Sequence, residues 1–426
     1  MPTVVDPHRF EGPHGVDVER TVEDITIAMD SVGGSDNAAG LRYNTQAQFT
    51  ALGAFKTVAA VIDALPNGIY HTVTLEFPGF HSTFNLDSNG FGDWERFYFG
   101  DVGTIIFQSE EGILQESGTS TYLVSGSSTK RQVVLQSDPG FTANDHRAKY
   151  LRVVGGTGAG QIKPIRNHAA TTFNVTGRFS PVPDVTSVVD VVVPASELVT
   201  TVSTNIRTQP YRGGNLPKTV IFKSIDIRGN GASLGFGLRG PLCRLEDESR
   251  ILNMSVGIQG SMLNLQTAVI DRQGSGFSLV NLQSGHIRSS STGEAWLIRD
   301  AGVVGIFLAA GSGGGPVFGS PSTAFMWEGA IDDCGGDAIL IDGIGAIFNC
   351  ANNTIQGAGN TGYGVSLVNG GSFTHVDSAV AVAETETLTG TLGDLGIDGN
   401  AATWEDLNND SDKILTTAAR SIVIGV

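Results

Sequence analysis

Five carboxylates, Glu328, Asp332, Asp333, Asp337 and Asp342, crowd one short stretch of the chain, between and within neighbouring apolar runs. Glycoside hydrolysis needs two carboxyl groups about 5–9 Å apart, one to donate a proton and one to act as base or nucleophile. Trp296 and Trp327 could add flat apolar faces for sugar rings. The plainer reading is an acidic solvent face with packing tryptophans. It is preferred because spacing along the chain cannot show whether any two of Glu328, Asp332, Asp333 and Asp337 converge. No residue is assigned as catalytic, cofactor-binding or metal-binding, and no cofactor is expected.

Three other patterns come close to known chemistry and fall short. Gly155 to Ile162 reads GGTGAGQI, where a phosphate loop would require Lys at Gln161 and a hydroxyl residue at Ile162. A Gly-rich hairpin is expected instead. Gly231-Ala-Ser233-Leu-Gly235 follows a strand like a nucleophile elbow, but Gly235, Gly237 and Gly240 oppose the helix an elbow must enter. Asp406 to Asp412 resembles the start of a calcium loop without the Gly at 411 or the Glu at Thr417. The three cysteines, Cys243, Cys334 and Cys350, have no CxxC spacing and read as small buried residues.

The elements around these residues are short strands. Hydrophobic residues make up 40% of the 426 and charged ones only 16%, enough for a core and too little charge for disorder. Fifty-seven glycines without a Gly-X-Y period indicate many tight turns. A net charge of −17 repels phosphate backbones, so nucleic-acid binding is not expected. The longest apolar stretch is too short to span a bilayer, and the first residues lack the pattern of a secretory signal, so folding in a host cytoplasm without membrane insertion is expected.

From Thr219 onward, short apolar runs recur: Val256-Gly-Ile-Gln-Gly, Phe277-Ser-Leu-Val-Asn, Ala295-Trp-Leu-Ile, Ala338-Ile-Leu-Ile-Asp-Gly, Gly364-Val-Ser-Leu-Val-Asn-Gly. A period of roughly 20 residues or more fits coils of a solenoid, and about eight such coils would make a rod about 40 Å long. Asn281, Asn349, Asn353 and Asn369 are expected at coil corners, where Asn tolerates the left-handed conformation. The fold expected is all-β: a right-handed parallel β-helix with a small inserted β-module and a C-terminal β-module. Residues 1–50 read as an irregular N-terminal arm for attachment to the virion or a partner. Residues 51–148 read as a capping helix, started by Thr57 and stopped by Pro66, with the first coils. Residues 149–195 form the insert, 196–372 the main β-helix, and 373–426 the C-terminal module, with an exposed hairpin over 385–399.

The segment FKTVAAVIDALP, leading into VTLEF, resembles the opening of pectin-lyase-like β-helix proteins. The Gln, two Asp and Arg of the pectin methylesterases have no matching constellation here, so that activity is not carried over. Residues 150–193 and 371–407 resemble modules of bacteriophage virion proteins. That resemblance implies a homotrimeric appendage of tailspike, tail fibre, collar or head-fibre type, located in the virion. Its expected role is structural and adhesive without catalysis, with other virion proteins bound through the arm and host surface polysaccharide as a further contact. The alternative is a glycan depolymerase on the same fold. Apolar stretches at Val188 to Val193, Val303 to Leu308 and Ser421 to Val426 are expected to need covering, which threefold association would provide.

Overall fold

The computed structural model describes the chain except residues 1–8, 12–16, 37–41, 80–81, 86–96, 101, 202, 208–218, 230–233, 272–277, 284, 290–294, 310–321, 327–328, 344–346, 352–354, 369–371, 377–387, 391–392, 399–402, 407–413, 417–421 and 426. Three long sheets dominate, and every strand pair within them is parallel. The first sheet has nine strands, from Ser82–Asn85 to Leu388–Gly390, and the second has nine, from Thr204–Arg207 to Ile414–Thr416. The third has twelve, from Ile25–Ala28 to Ile422–Gly425. Between Ser196 and Asp406 the chain visits the three sheets in strict rotation, giving eight successive coils with one strand in each. This is a parallel β-helix.

Its interior follows from strand alternation. Leu198, Ile227, Ile251, Ile270, Ile298 and Ile331 occupy one register position on successive coils of the first sheet. All are at most 1% exposed, so each contributes about 1.5–3 kcal/mol of burial. On the third sheet, Phe107 stacks on Phe222 with ring centres 4.9 Å apart. Trp296 is also interior and buried, and lies in register with Gly329. A Cβ at Gly329 would sit 1.8 Å from the indole, so that Gly makes room for the ring. Trp296 is therefore a core residue and offers no platform for a sugar. Trp327 lies outside the described residues.

Among the described residues of the first fifty, a strand and a helix stand where an irregular arm was expected. Ile25–Ala28 pairs with Thr72–Phe77, and Gln46–Leu52 is a helix with a complete capping box from Thr45 and Gln48. The Thr57-capped helix Val58–Ala64 follows. Phe49, Val61 and Ile62 join the same core as the coils, so both helices close over its first turns.

An antiparallel sheet of seven strands interrupts the helix after Thr104–Ser109 and returns through Pro194 into Ser196–Thr200. Its central pair is Tyr150–Gly155 against Val188–Pro194, and it has its own core around Leu151, Val153, Phe173, Val189 and Val191. The Gly-rich segment makes the expected hairpin between Tyr150–Gly155 and Ile162–His168, with Gly156, Gly158 and Gly160 all at positive φ. The sheet also recruits Ile113–Gln115, and with it Tyr122–Leu123 and Gln132–Val134, which fall in the 51–148 stretch expected to form the first coils. It thus begins well before residue 149.

Three further expectations are corrected. Leu388–Gly390 and Gly393–Asp398 do not pair as a hairpin; each stacks in parallel on a different sheet and continues the coils. Asn281 and Asn349 lie within strands, while Asn353 and Asn369 lie outside the described residues. The left-handed corner after the first sheet is instead taken by Asn253, Asp300 and Asp333, with φ of 56°, 53° and 55°. Finally, Val188–Pro194, Ile306–Ala309 and Ile422–Gly425 are all paired within the chain, so they do not themselves demand a partner.

Candidate functional site

The outer face of the first sheet changes chemistry along its length. One outward column runs Glu197, Asp226, Arg250, then Val269, Leu297, Ala330. The adjacent column runs Val199, Arg228, Leu252, then Asp271, Arg299, Asp332. Each column switches between charged and apolar where the other switches back. The insert folds down onto this face and uses both parts.

Its apolar footing is Ala148, Tyr150 and Val192 against Val269, Leu297 and Ala330. The fully buried Tyr150 donates its hydroxyl proton toward the backbone oxygens of Ser249, at 3.1 Å, and Thr267, at 3.4 Å. Burial holds that phenol well above its ordinary pKa, so it acts as a fixed donor.

Charged groups fasten the rest. Arg166 of the insert grips Asp332 of the helix with two bonds of 2.7 Å. Arg250 clasps Asp226 at 2.7 and 2.5 Å and donates at 3.0 Å to the insert's Ala148 carbonyl. Arg147 and Arg299 lie 3.7 Å and 3.2 Å from Asp333. Within the insert Lys149 reaches Glu116 at 2.9 Å, and within the first sheet Arg228 pairs with Glu197; these two pairs brace each side without crossing between them. Planar guanidinium–carboxylate forks of this kind fix orientation as well as position.

Between these fastenings lie two adjoining clefts of about 370 and 330 Å³, sharing Lys149, Arg228 and Arg250. Burial, opposed by Arg299, raises the Asp271 carboxyl to about 6. It also raises Asp333, again against Arg299. Glu248, on the coil corner before Ser249, is pushed to about 7 by burial and then by Asp247, with Arg152 opposing.

The carboxylates singled out in the sequence therefore part company. Asp332 and Asp333 are adjacent at the seam, both engaged by arginines. Asp337 accepts the Tyr363 backbone N–H at 2.6 Å, and Asp342 ends a strand of the second sheet. Glu328 lies outside the described residues. Arg166, Arg250, Tyr150 and Asp271 were not legible as site residues, because their partners are distant in sequence. The one available signal was the charged residues interrupting apolar coil runs, such as Arg250 and Asp271. Among the described residues no cluster of three or more His, Cys, Asp or Glu could hold a metal ion, and no helix is long and apolar enough to cross a membrane. Cys243 and Cys334 are buried thiols whose burial raises their pKa.

No family model matches the sequence, and no curated protein matches it. Solved structures similar to it include three phage tailspikes. One is the Gp54 tailspike of Acinetobacter baumannii bacteriophage AP22, in complex with A. baumannii capsular saccharide. It is 14% identical, with a TM-score of 0.20, 83% of this chain and 71% of that chain being covered. The second is tailspike gp61 of Pseudomonas phage phi297, 11% identical, with a TM-score of 0.22 and coverage of 94% and 72%. The third is tailspike protein gp49 of Pseudomonas phage LKA1, 11% identical, with a TM-score of 0.22 and coverage of 93% and 84%. Superposition this slight carries no argument. The fold stands on its strand pairing.

Proposed function

We propose that the chain is a structural and adhesive subunit of a bacteriophage particle, a homotrimeric appendage of spike or fibre type that meets host surface polysaccharide without cleaving it. The observation that carries the non-catalytic part is the state of Asp332. Both of its oxygens are held by Arg166, so a carboxylate suited by type to glycan hydrolysis serves to fasten the insert. Neighbouring Asp333 is likewise engaged by Arg147 and Arg299. The virion part is supported by the likeness of residues 150–193 and 371–407 to phage virion modules. The trimer is proposed on the same resemblance of residues 150–193 and 371–407 to phage virion modules, which implies a homotrimeric appendage. Residues 1–50 are proposed to attach the subunit to the particle, alongside the part they play in the first coil.

The competing reading, a depolymerase on the same fold, is favoured by Asp271, a buried carboxyl raised to about 6 beside a cleft. Light scattering of the whole chain should give three times the 44.5 kDa chain mass. Antibodies raised against it should label an appendage of the phage particle in electron micrographs. A monodisperse monomer would remove the trimer. Unlabelled particles would remove the virion assignment. Release of reducing ends from the host glycan with turnover would favour the depolymerase.

A further inference from the structure

The seam presents a mismatch that the protein alone leaves unresolved. Asp271 and Arg299 face each other in register on adjacent coils, and both line the larger cleft. They are 6% and 1% exposed. Arg299 uses Nη2 on Asp300 and Asp333, at 3.0 and 3.2 Å. Its Nε and Nη1, and Oδ1 of Asp271, have no hydrogen-bond partner among the described residues. A buried donor and a buried acceptor without partners cost free energy until something between them satisfies both.

The character of that partner follows from the charges. Of the cations lining the larger cleft, Lys149, Arg228 and Arg250 are already paired with Glu116, Glu197 and Asp226, which leaves Arg147 and Arg299 beside Asp145, Asp271 and Asp300. An anion placed there would satisfy Arg299 and meet Asp271, Asp300 and Asp145 at short range. A cation would satisfy Asp271 and meet Arg147, Arg250 and Arg299. A hydroxyl serves both, accepting from the guanidinium while donating to the carboxylate. The larger cleft, at about 370 Å³, far exceeds the roughly 30 Å³ share of a single water. Its walls repeat the pairing of acceptors with donors, and Leu252 supplies the apolar contact.

We infer that the cleft between insert and β-helix binds a neutral, hydroxyl-rich saccharide, one hydroxyl of which bridges Asp271 and Arg299. The inference rests on the proposed contact with host polysaccharide and narrows it to one cleft and one charge class. With no aromatic side chain among the described residues that line the cleft, binding depends on hydrogen bonds and is weak per chain, so several copies on a particle would be needed for firm attachment.

The test is calorimetric titration of the full-length protein at pH 7.5. The probes are hexasaccharides of glucose, galactose, rhamnose and N-acetylglucosamine, with hexagalacturonate as the acidic comparison. At least one neutral probe should bind at one site per chain, about tenfold tighter than hexagalacturonate. Asp271→Ala should weaken that binding by about tenfold or more, whereas Asp271→Asn, which keeps an oxygen acceptor, should stay within about threefold. Leu252→Trp, which fills the cleft without altering the pair, should also abolish binding. It decides the matter if Asp271→Ala fails to fold by thermal melting. The inference is overturned if no neutral probe binds, if hexagalacturonate binds as tightly, or if folded Asp271→Ala and Leu252→Trp bind like the wild type. Particles labelled by the antibody, together with unaffected cleft variants, would sink this inference and leave the virion assignment standing. Cleft binding by a protein absent from particles would do the reverse.

Discussion

The insert's core and the seam beneath it bury polar groups in opposite ways. In the core, His146 and His168 stack 5.1 Å apart beside Phe141 and Phe173. The His146 backbone N–H donates to Nε2 of His168, whose Nδ1 lies 3.1 Å from the Ala169 carbonyl. That geometry fits a neutral ring with its proton on Nδ1. At the seam, burial is offset chiefly by ion pairs; in both regions some buried polar atoms have no hydrogen-bond partner among the described residues, His146 Nε2 in the core and Arg299 Nη1 at the seam. The core relies on stacked neutral rings, whereas the seam relies on charged pairs that hold the insert and the coils in a fixed relation. Buried ion pairs add little net stability over apolar packing but penalise any misplacement heavily.

The largest break should come from the apolar footing. Tyr150→Ala removes a fully buried aromatic and its two backbone contacts, and should cost about 3–5 kcal/mol. In urea, the insert should separate from the coils as a distinct transition, and proteases should cut near residues 110–116 and 194–196. An unchanged single transition would show that Tyr150 is not what docks the insert.

The ion pair sharpens the same contrast. Arg166→Met leaves Asp332 buried without its guanidinium and should cost about 3 kcal/mol. Adding Asp332→Leu should recover most of that loss, to within about 1 kcal/mol of the wild type. If the double variant is as unstable as the single, the pair contributes more than alignment.

Acid should move the two regions in opposite directions. Burial lowers His146 to about 4 and also lowers His168. The unfolded chain therefore binds protons first, and the insert loses stability as pH falls from about 6.5 toward 4, by about 1–2 kcal/mol after solvent screening. Glu248 and Asp271 are raised to about 7 and 6. Their cost is full above those values and is relieved as pH falls, so mild acid favours the docked state. Between pH 7 and 5, the urea midpoint of the insert should drop while seam protection from proteases holds or rises. Parallel losses in both would contradict the assignment of the shifts.

Much of this architecture is readable in the chain because it is local. Apolar runs such as Ala338-Ile-Leu-Ile announce coils, Thr57 announces a cap, and the glycines of 155–160 announce a hairpin. Misjudged boundaries have a local cause too. Ile113–Gln115 and Tyr122–Leu123 are two or three residues long, and strands so short look alike whether they join a coil or an antiparallel sheet. The capping box at Thr45 and Gln48 is a local signal too, set among turn-forming residues that mask it. The site is a different matter. Arg166 meets Asp332 across 166 residues and Tyr150 meets Ser249 across 99, distances that only coil register and insert placement can close.

On the proposed reading Asp332 holds the insert and takes no part in catalysis. The most direct test is a paired measurement on Asp332→Asn: reducing-end release from the glycan of a host the phage infects, and protease resistance of the seam. The account predicts no turnover by wild type or variant, and a seam cut much faster in the variant. A wild type that cleaves the glycan, with turnover lost in an Asp332→Asn protein whose seam stays protected, would contradict it.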